Sequence, residues 1–327
     1  MTTTDLEQAG PGPRTGPGPA SLDPEVITGG GARREPARPR VAVRTRWRDH
    51  GSTVLVLTPF LAFVVVFLLW PTATVVLSAL APDGDPGFSS MGRAVSGPYR
   101  SAFVNSLRLA TTTAVVGGAL GLALALAVRD LRRPAWLRPA LDAWCLVASQ
   151  LGGVPLAFAF VAALGTQGVV TKALAAVGID ILDAGFSLST LAGLGVVYLY
   201  FQVPLMFLVV MPAVAGLRDP WREAATLMGA SPVRYWTRVA APILAPSTLG
   251  GMLLLFINAF SAYATAYVLD SSGQLVPLQI RFVLQGNVIT GEQDLGYALV
   301  TWTVLLLLAG LLLMGALQRR AARWARA

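Results

Sequence analysis

The sequence predicts an all-α polytopic membrane protein with six transmembrane helices, and three observations carry that reading. Six charge-poor stretches each reach or exceed the roughly 20 residues that cross the hydrocarbon core of a bilayer. Charged residues occupy only 13% of positions against 54% apolar ones, about half the charge of an ordinary soluble domain, so the chain cannot dress a water-facing surface. The basic residues also gather in alternate connections between the stretches, as loops on one side of a membrane do.

Taken in order, residues 1 to about 50 are rich in Pro, Gly, Ala, Thr and Arg. They bury too little apolar surface to offset ordering entropy and read as a disordered tail. The long polar lead and the length of the first apolar run do not have the form of a signal peptide. His50, the single histidine, reads as solvated. The transmembrane region follows over 51–318, with spans expected at about Val54–Leu80, Leu109–Val128, Ala143–Val170, Leu191–Gly216, Leu249–Leu269 and Leu295–Leu317. With no water to satisfy the backbone, such runs must be helical. Pro71, Pro155, Pro204 and Pro212 predict kinks. Gly117-x-x-x-Gly121 in the second span suits close helix approach, although ordinary glycine usage in a membrane helix accounts for it equally. A short basic C-terminus covers 319–327.

Orientation follows from arginine. Four lie in Arg129–Arg138, four in Leu217–Arg238, four after Leu317 and eight in the N-terminal tail; the other side holds Arg93, Arg100, Arg108, Lys172 and Arg281. Twenty against five places both termini in the cytoplasm. The +8 balance therefore reflects anionic lipid rather than nucleic acid. Cys145 stands alone in an apolar run, so there is neither a disulfide framework nor a thiolate metal site.

The loop between spans four and five, 217–246, is the most informative segment. Asp219 is placed to cap a first helix, with Pro220 at the position that needs no amide donor. Gly229 is placed for the left-handed residue that ends it. Ser231 and Pro232 repeat the same start for a second helix, and Pro242 is expected to stop it. Trp221, Leu227, Met228, Tyr235 and Trp236 make this helix–turn–helix apolar enough to want a partner. The plainer alternative is an amphipathic loop lying on lipid headgroups.

These residues form Glu223-Ala224-Ala225-x3-Gly229-x9-Val239-x-Ala241-Pro242, which resembles the EAA signature of binding-protein-dependent ABC-importer permeases, with Val for Ile and Ala for Leu near the end. The resemblance covers about Leu109 to Arg319, and Asn105-Ser106-Leu107 is similar to a common start in that family. It implies the type I ABC-importer permease fold in a bacterial inner membrane. It also implies that Glu223, Ala224, Ala225, Gly229, Ser231 and Pro242 belong to a loop that docks a separate ATPase, which uses the ATP while this chain binds no cofactor. Further implied partners are a second, identical or homologous permease subunit and an extracytoplasmic substrate-binding protein.

Independently of the motif, the chain lacks its own motor. A phosphate-cradling loop needs Gly-x4-Gly-Lys-Ser/Thr, and the only lysine, Lys172, follows Thr171. Proton relays need intramembrane carboxylates; the nearest candidate, Asp142, is expected to pair with Arg138 at the cytoplasmic boundary. No clustered His, Asp, Glu or Cys suggests an enzyme, and an ion-coupled carrier is the weaker transport alternative. Polar and aromatic residues in the spans, Gln150, Gln202, Asn258, Ser261, Tyr263 and Tyr267, are the candidate solute path, although for each alone an interhelical hydrogen bond or an interfacial aromatic is the favoured reading. The stretches Asn258–Tyr267, Leu275–Ile280 and Asp294–Ala298 resemble permeases of the spermidine/putrescine type, a branch that also includes phosphonate and iron permeases.

Overall fold

A computed structural model of the chain describes residues 49–81, 88–130, 134, 136–270, 272–285 and 293–324. The expected tail at 1–50 lies outside these, except for its last two residues. The chain divides into two units, 1–58 and 59–327, and the account below concerns the second. The described residues are helical, and six helices are long and apolar enough to cross a membrane: Leu57–Leu80, Gly97–Arg129, Gly153–Ala176, Leu191–Ala215, Pro232–Ser261 and Gln293–Arg319.

In the first span, α1 (Asp49–Val64) passes through a π turn at Val65–Leu69 into α2 (Trp70–Leu80). Phe60, Phe63, Phe67 and Trp70 all point outward, as lipid-facing side chains do. The π turn ends two residues before Pro71. Pro71 has no amide to donate and crowds the preceding turn, and a widened turn accommodates both defects without ending the helix. After α3 (Ser89–Ala94), α4 (Gly97–Arg129) forms the longest span and the centre of the molecule, packing on α8 (Leu191–Ala215) and α11 (Ala241–Ser261).

Glycine sets how closely these helices approach. A Cβ at Gly121 would stand 2.5 Å from Met206 Cβ and 2.7 Å from the Val203 carbonyl oxygen, and one at Gly117 would stand 3.1 Å from Gln202 Oε1. Both glycines of the Gly-x-x-x-Gly pattern therefore face α8, which settles that question in favour of close packing. Gly118, between them, meets Met252 of α11 instead. The buried core runs along this seam, with Tyr198, Leu194 and Phe260 toward one end and Met206, Phe207, Val210 and Leu255 toward the other.

The third span departs from expectation. Instead of one helix over Ala143–Val170, the chain forms α5 (Leu137–Gln150), α6 (Gly153–Leu164) and α7 (Val169–Ala176). Gly153 takes φ +75°, a conformation closed to most L residues, and Pro155 sits in the first turn of α6, where no donor is missed. The fifth span also differs. Pro242 does not stop the second loop helix: α10 (Pro232–Tyr235) runs through a π turn, Trp236–Ala240, directly into α11. That turn again ends two residues before the proline. The break comes later, at Ala262–Tyr263, before α12 (Ala264–Leu269).

At the end of the molecule away from the arginine-rich loops, α13 (Val276–Gln285) closes against α4 and α14 (Gln293–Trp324). Ser106 Oγ accepts from the Val276 amide at 2.9 Å, and Asn105 Nδ2 donates to the Gln274 carbonyl at 3.4 Å. Trp302 Nε1 donates to the Met91 carbonyl of α3 at 3.1 Å. The expected Arg138–Asp142 pair does not form. Ion pairs among the described residues involve Arg129, with Asp130 and Asp219.

Candidate functional site

Two places collect the residues singled out from the sequence. The first is the loop. Here α9 (Asp219–Leu227) ends at Met228, Gly229 follows at φ +77°, and Ser231 Oγ accepts from the Arg234 amide at 3.3 Å to start α10. Asp219 makes no cap; it is the first residue of α9 and its carboxylate turns away. Arg129, at the end of α4, donates to Asp219 Oδ1 at 3.0 Å and to the Leu217 carbonyl at 2.7 Å. The Asp219 carboxylate thus takes a hydrogen bond from a full positive charge in place of one from a helix amide. The loop is thereby tied to the core span α4.

Burial divides the EAA residues. Ala225 is buried and packs with Leu217, Tyr235, Ala240 and Val128, so the second alanine faces this chain's own core. Glu223, Ala224, Gly229, Ser231 and Pro242 are exposed, and a Cβ at Gly229 would meet nothing within 4 Å. Tyr235 was expected on the outer face but is buried, while Leu227 and Met228 at the turn are 89% and 81% exposed. Apolar side chains this bare at the tip of a loop mark a surface suited to contact with a protein or a membrane. Beside them, Asp219, Arg222, Glu223, Thr226 and Leu227, with Asp130, line an open cleft of about 800 Å³.

The second place is the pair of facing helix breaks. The Gly153 amide donates to Thr265 Oγ1 at 2.9 Å, and that hydroxyl donates to the Gly153 carbonyl at 3.3 Å. An unpaired backbone group in hydrocarbon costs several kcal/mol, and Thr265 removes two such groups at once. The Tyr198 hydroxyl donates to the Ala262 carbonyl at 3.1 Å, which pairs one of the groups freed by the second break. Ser261 Oγ donates back to the Ile257 carbonyl at 2.8 Å, a back-bond that favours bending at a helix end.

Around these breaks lie two adjoining hollows of about 380 and 280 Å³, which share Ser149, Gln150 and Asn258. Ser261 lines the first, while Tyr263, Thr265 and Phe201 line the second. Four of the six path candidates, Gln150, Asn258, Ser261 and Tyr263, are thus brought together. The other two are not. Gln202 is fully buried, donating to Thr113 Oγ1 at 3.2 Å and to the Leu255 carbonyl at 3.4 Å, so it stitches α8 to α4 and α11. Tyr267 lies outside the hollows, stacked on Tyr263 with ring centroids 5.6 Å apart. Sequence reasoning missed Ser149, Thr265 and the tether Arg129. Gly152-Gly153-x-Pro155 was the available signal for the first break; nothing local marks Thr265.

Comparison with known proteins agrees with this architecture. Two crystal structures of a bacterial alginate ABC transporter align with the chain: one, described as importing the acidic polysaccharide alginate, at a TM-score of 0.65 and 19% identity over 84% of this chain and 98% of the other. The second, at a TM-score of 0.66, is a complex with an alginate pentasaccharide-bound periplasmic protein. At that identity the likeness shows the fold. The sn-glycerol-3-phosphate transport system permease protein UgpA of Escherichia coli O6:K15:H31 is 25% identical over 250 residues, 73% of this chain and 81% of that protein. The molybdenum transport system permease protein ModB of Mycobacterium tuberculosis is 27% identical over 187 residues, 55% of this chain and 67% of that protein. The family model for the binding-protein-dependent transport system inner membrane component matches residues 117–326, and the chain belongs to that family.

Proposed function

We propose that the hollow between the two helix breaks is part of the solute path of this permease subunit, and that the loop 217–246 transmits to it the work of a separate ATPase. The observation that carries this reading is the convergence of Gln150, Asn258, Ser261 and Tyr263, from spans three and five, on one cavity. Non-helical backbone at membrane depth is tolerated where it is buried in protein or lines a water-filled cavity, and broken helices at a polar hollow are how many carriers hold cargo. The exposed turn at Leu227–Gly229 supports docking of the ATPase, and Arg129 ties the start of α9, the helix that leads to that turn, to α4. In this reading both termini are cytoplasmic, a second permease subunit covers the open side of the hollow, and an extracytoplasmic binding protein delivers the solute. ATP is bound and hydrolysed by the ATPase subunits.

As to the solute, a spermidine- or putrescine-like cargo finds no support. No carboxylate lines the hollows among the described residues, and a polycation lacks a counter-charge there. The relatives named above carry sn-glycerol 3-phosphate and molybdenum, and amide and hydroxyl groups beside aromatic rings suit an oxygen-rich small solute of that kind. The test is uptake into proteoliposomes holding this chain with its partner permease, ATPase and binding protein. ATP-dependent accumulation of sn-glycerol 3-phosphate or molybdate, with spermidine excluded, is expected. Uptake driven by an ion gradient without nucleotide overturns the mechanism, and uptake of spermidine overturns the solute class.

A further inference from the structure

One cation stands against an aromatic pair that reaches the cavity, and neither the EAA loop nor the path candidates account for it. The Arg281 guanidinium of α13 sits 4.0 Å from the centroid of the Tyr267 ring, close enough for a cation–π contact. Tyr267 in turn stacks on Tyr263 at an interplanar angle of 18°, and Tyr263 lines the second hollow. Cation, ring, ring and cavity form one continuous series. Arg281 Nε donates to Gln285 Oε1 at 3.0 Å, and no carboxylate among the described residues pairs with the terminal nitrogens. The cation–π contact holds the guanidinium over Tyr267, and its terminal nitrogens are donors of the kind that match carboxylates and phosphates. The described lining of both hollows is neutral, so this charge is not cancelled there.

We infer that Arg281, held by Tyr267 against Tyr263, is a selectivity residue at the lip of the cavity that favours anionic solutes over cationic ones. This rests on the reading of the hollow as the solute path and deepens it by naming the sign of the charge that enters. Coulomb attraction over roughly 10 Å at a protein-surface dielectric of about 20, partly screened by salt, amounts to about a three- to ten-fold preference for a monoanion over a monocation. The same donors also fit the phosphate of a lipid headgroup, so the experiment separates the two sources.

The chain suits a test that needs no knowledge of the cargo. Its one cysteine, Cys145, is fully buried and is replaced by alanine as background. Ser261→Cys then places a thiol in the hollow. Its rates of modification by a sulfonatoethyl and a trimethylammonioethyl methanethiosulfonate are divided by those of a free thiol. The expected anionic-to-cationic ratio is three to ten, falling to about one with Arg281→Ala and retained with Arg281→Lys. A thiol that reacts with both reagents without preference, or whose preference survives Arg281→Ala, overturns the role of Arg281 and leaves the path standing. A thiol that reacts with neither overturns the path and the inference together. A preference seen in maltoside micelles but lost in phosphatidylcholine nanodiscs assigns the guanidinium to lipid phosphate and likewise overturns the inference.

Discussion

The loop at 217–246 and the cavity at the helix breaks are built by opposite means. In the loop, neighbours in sequence determine each other. Ser231 caps the helix that begins at Pro232, and Gly229 supplies the positive φ that ends the one before. In the cavity the decisive bond joins Gly153 to Thr265, 112 residues apart. In the proposed function, the region that meets a separate protein is shaped by short-range chemistry, and the region that opens and closes is held by a few long-range bonds between separate helices.

That contrast is broken most directly at Gly229. Replacing it with valine forces a β-branched residue to φ +77°, at a cost of roughly 1–2 kcal/mol confined to the turn. ATP-driven uptake is expected to fall more than ten-fold, with normal amounts in the membrane; Glu223→Arg should do the same. Normal solute-stimulated ATP hydrolysis and normal co-purification of the ATPase with either variant would remove the loop from coupling. In the transmembrane seam the order of effects reverses, stability first. Gly121→Leu drives a side chain into Met206 and the Val203 carbonyl, and overpacking of this kind costs about 1–3 kcal/mol, read as a lower unfolding midpoint in detergent. Gly92→Ala, where a Cβ meets nothing within 4 Å, should leave the midpoint within a degree or so of the parent.

A smaller effect tests the link between the two breaks. Thr265→Val keeps the shape but deletes both bonds to Gly153, and the unmet backbone groups should cost about 1–3 kcal/mol. Hydrogen exchange at the Gly153 amide should rise with it; an unchanged rate would mean that water satisfies the break. The smallest expected effect joins the two regions. Asp219 is 65% exposed in its pair with Arg129, so a double-mutant cycle of Arg129→Ala and Asp219→Ala should give only about 0.2–1 kcal/mol of coupling. Loss of the bond to the buried Leu217 carbonyl makes Arg129→Ala the more damaging single change. Equal single effects would show that the ion pair alone holds the loop.

Much of this was legible in the residues, and the misses have physical causes. The spans were readable because hydrocarbon excludes charge and unpaired backbone alike. Gly229 and Ser231 were readable because left-handed φ and helix capping each admit few residue types. Pro242 misled because a proline's missing donor stops a helix only where the backbone cannot widen, and the π turn at Trp236–Ala240 supplies that width, as Val65–Leu69 does before Pro71. Asp219 misled because its local cap competes with Arg129, whose nearness depends on how α4 meets α8. Gln150, Gln202, Asn258 and Tyr267 looked alike as polar or aromatic residues in apolar runs. Packing alone divided them between a cavity, a buried crosslink and a stacked lip.

By itself, then, the sequence determined the number of spans and the capped helix–turn–helix between the fourth and fifth. Each of these follows from interactions within a few residues or from a solvent that acts on every residue alike. Only the tertiary structure decided which alanine of the EAA segment is buried, where the third and fifth spans break, and that the two breaks face each other. Those depend on how separate helices pack, across 112 residues for the two breaks, and no local propensity encodes which distant backbone a threonine hydroxyl will satisfy.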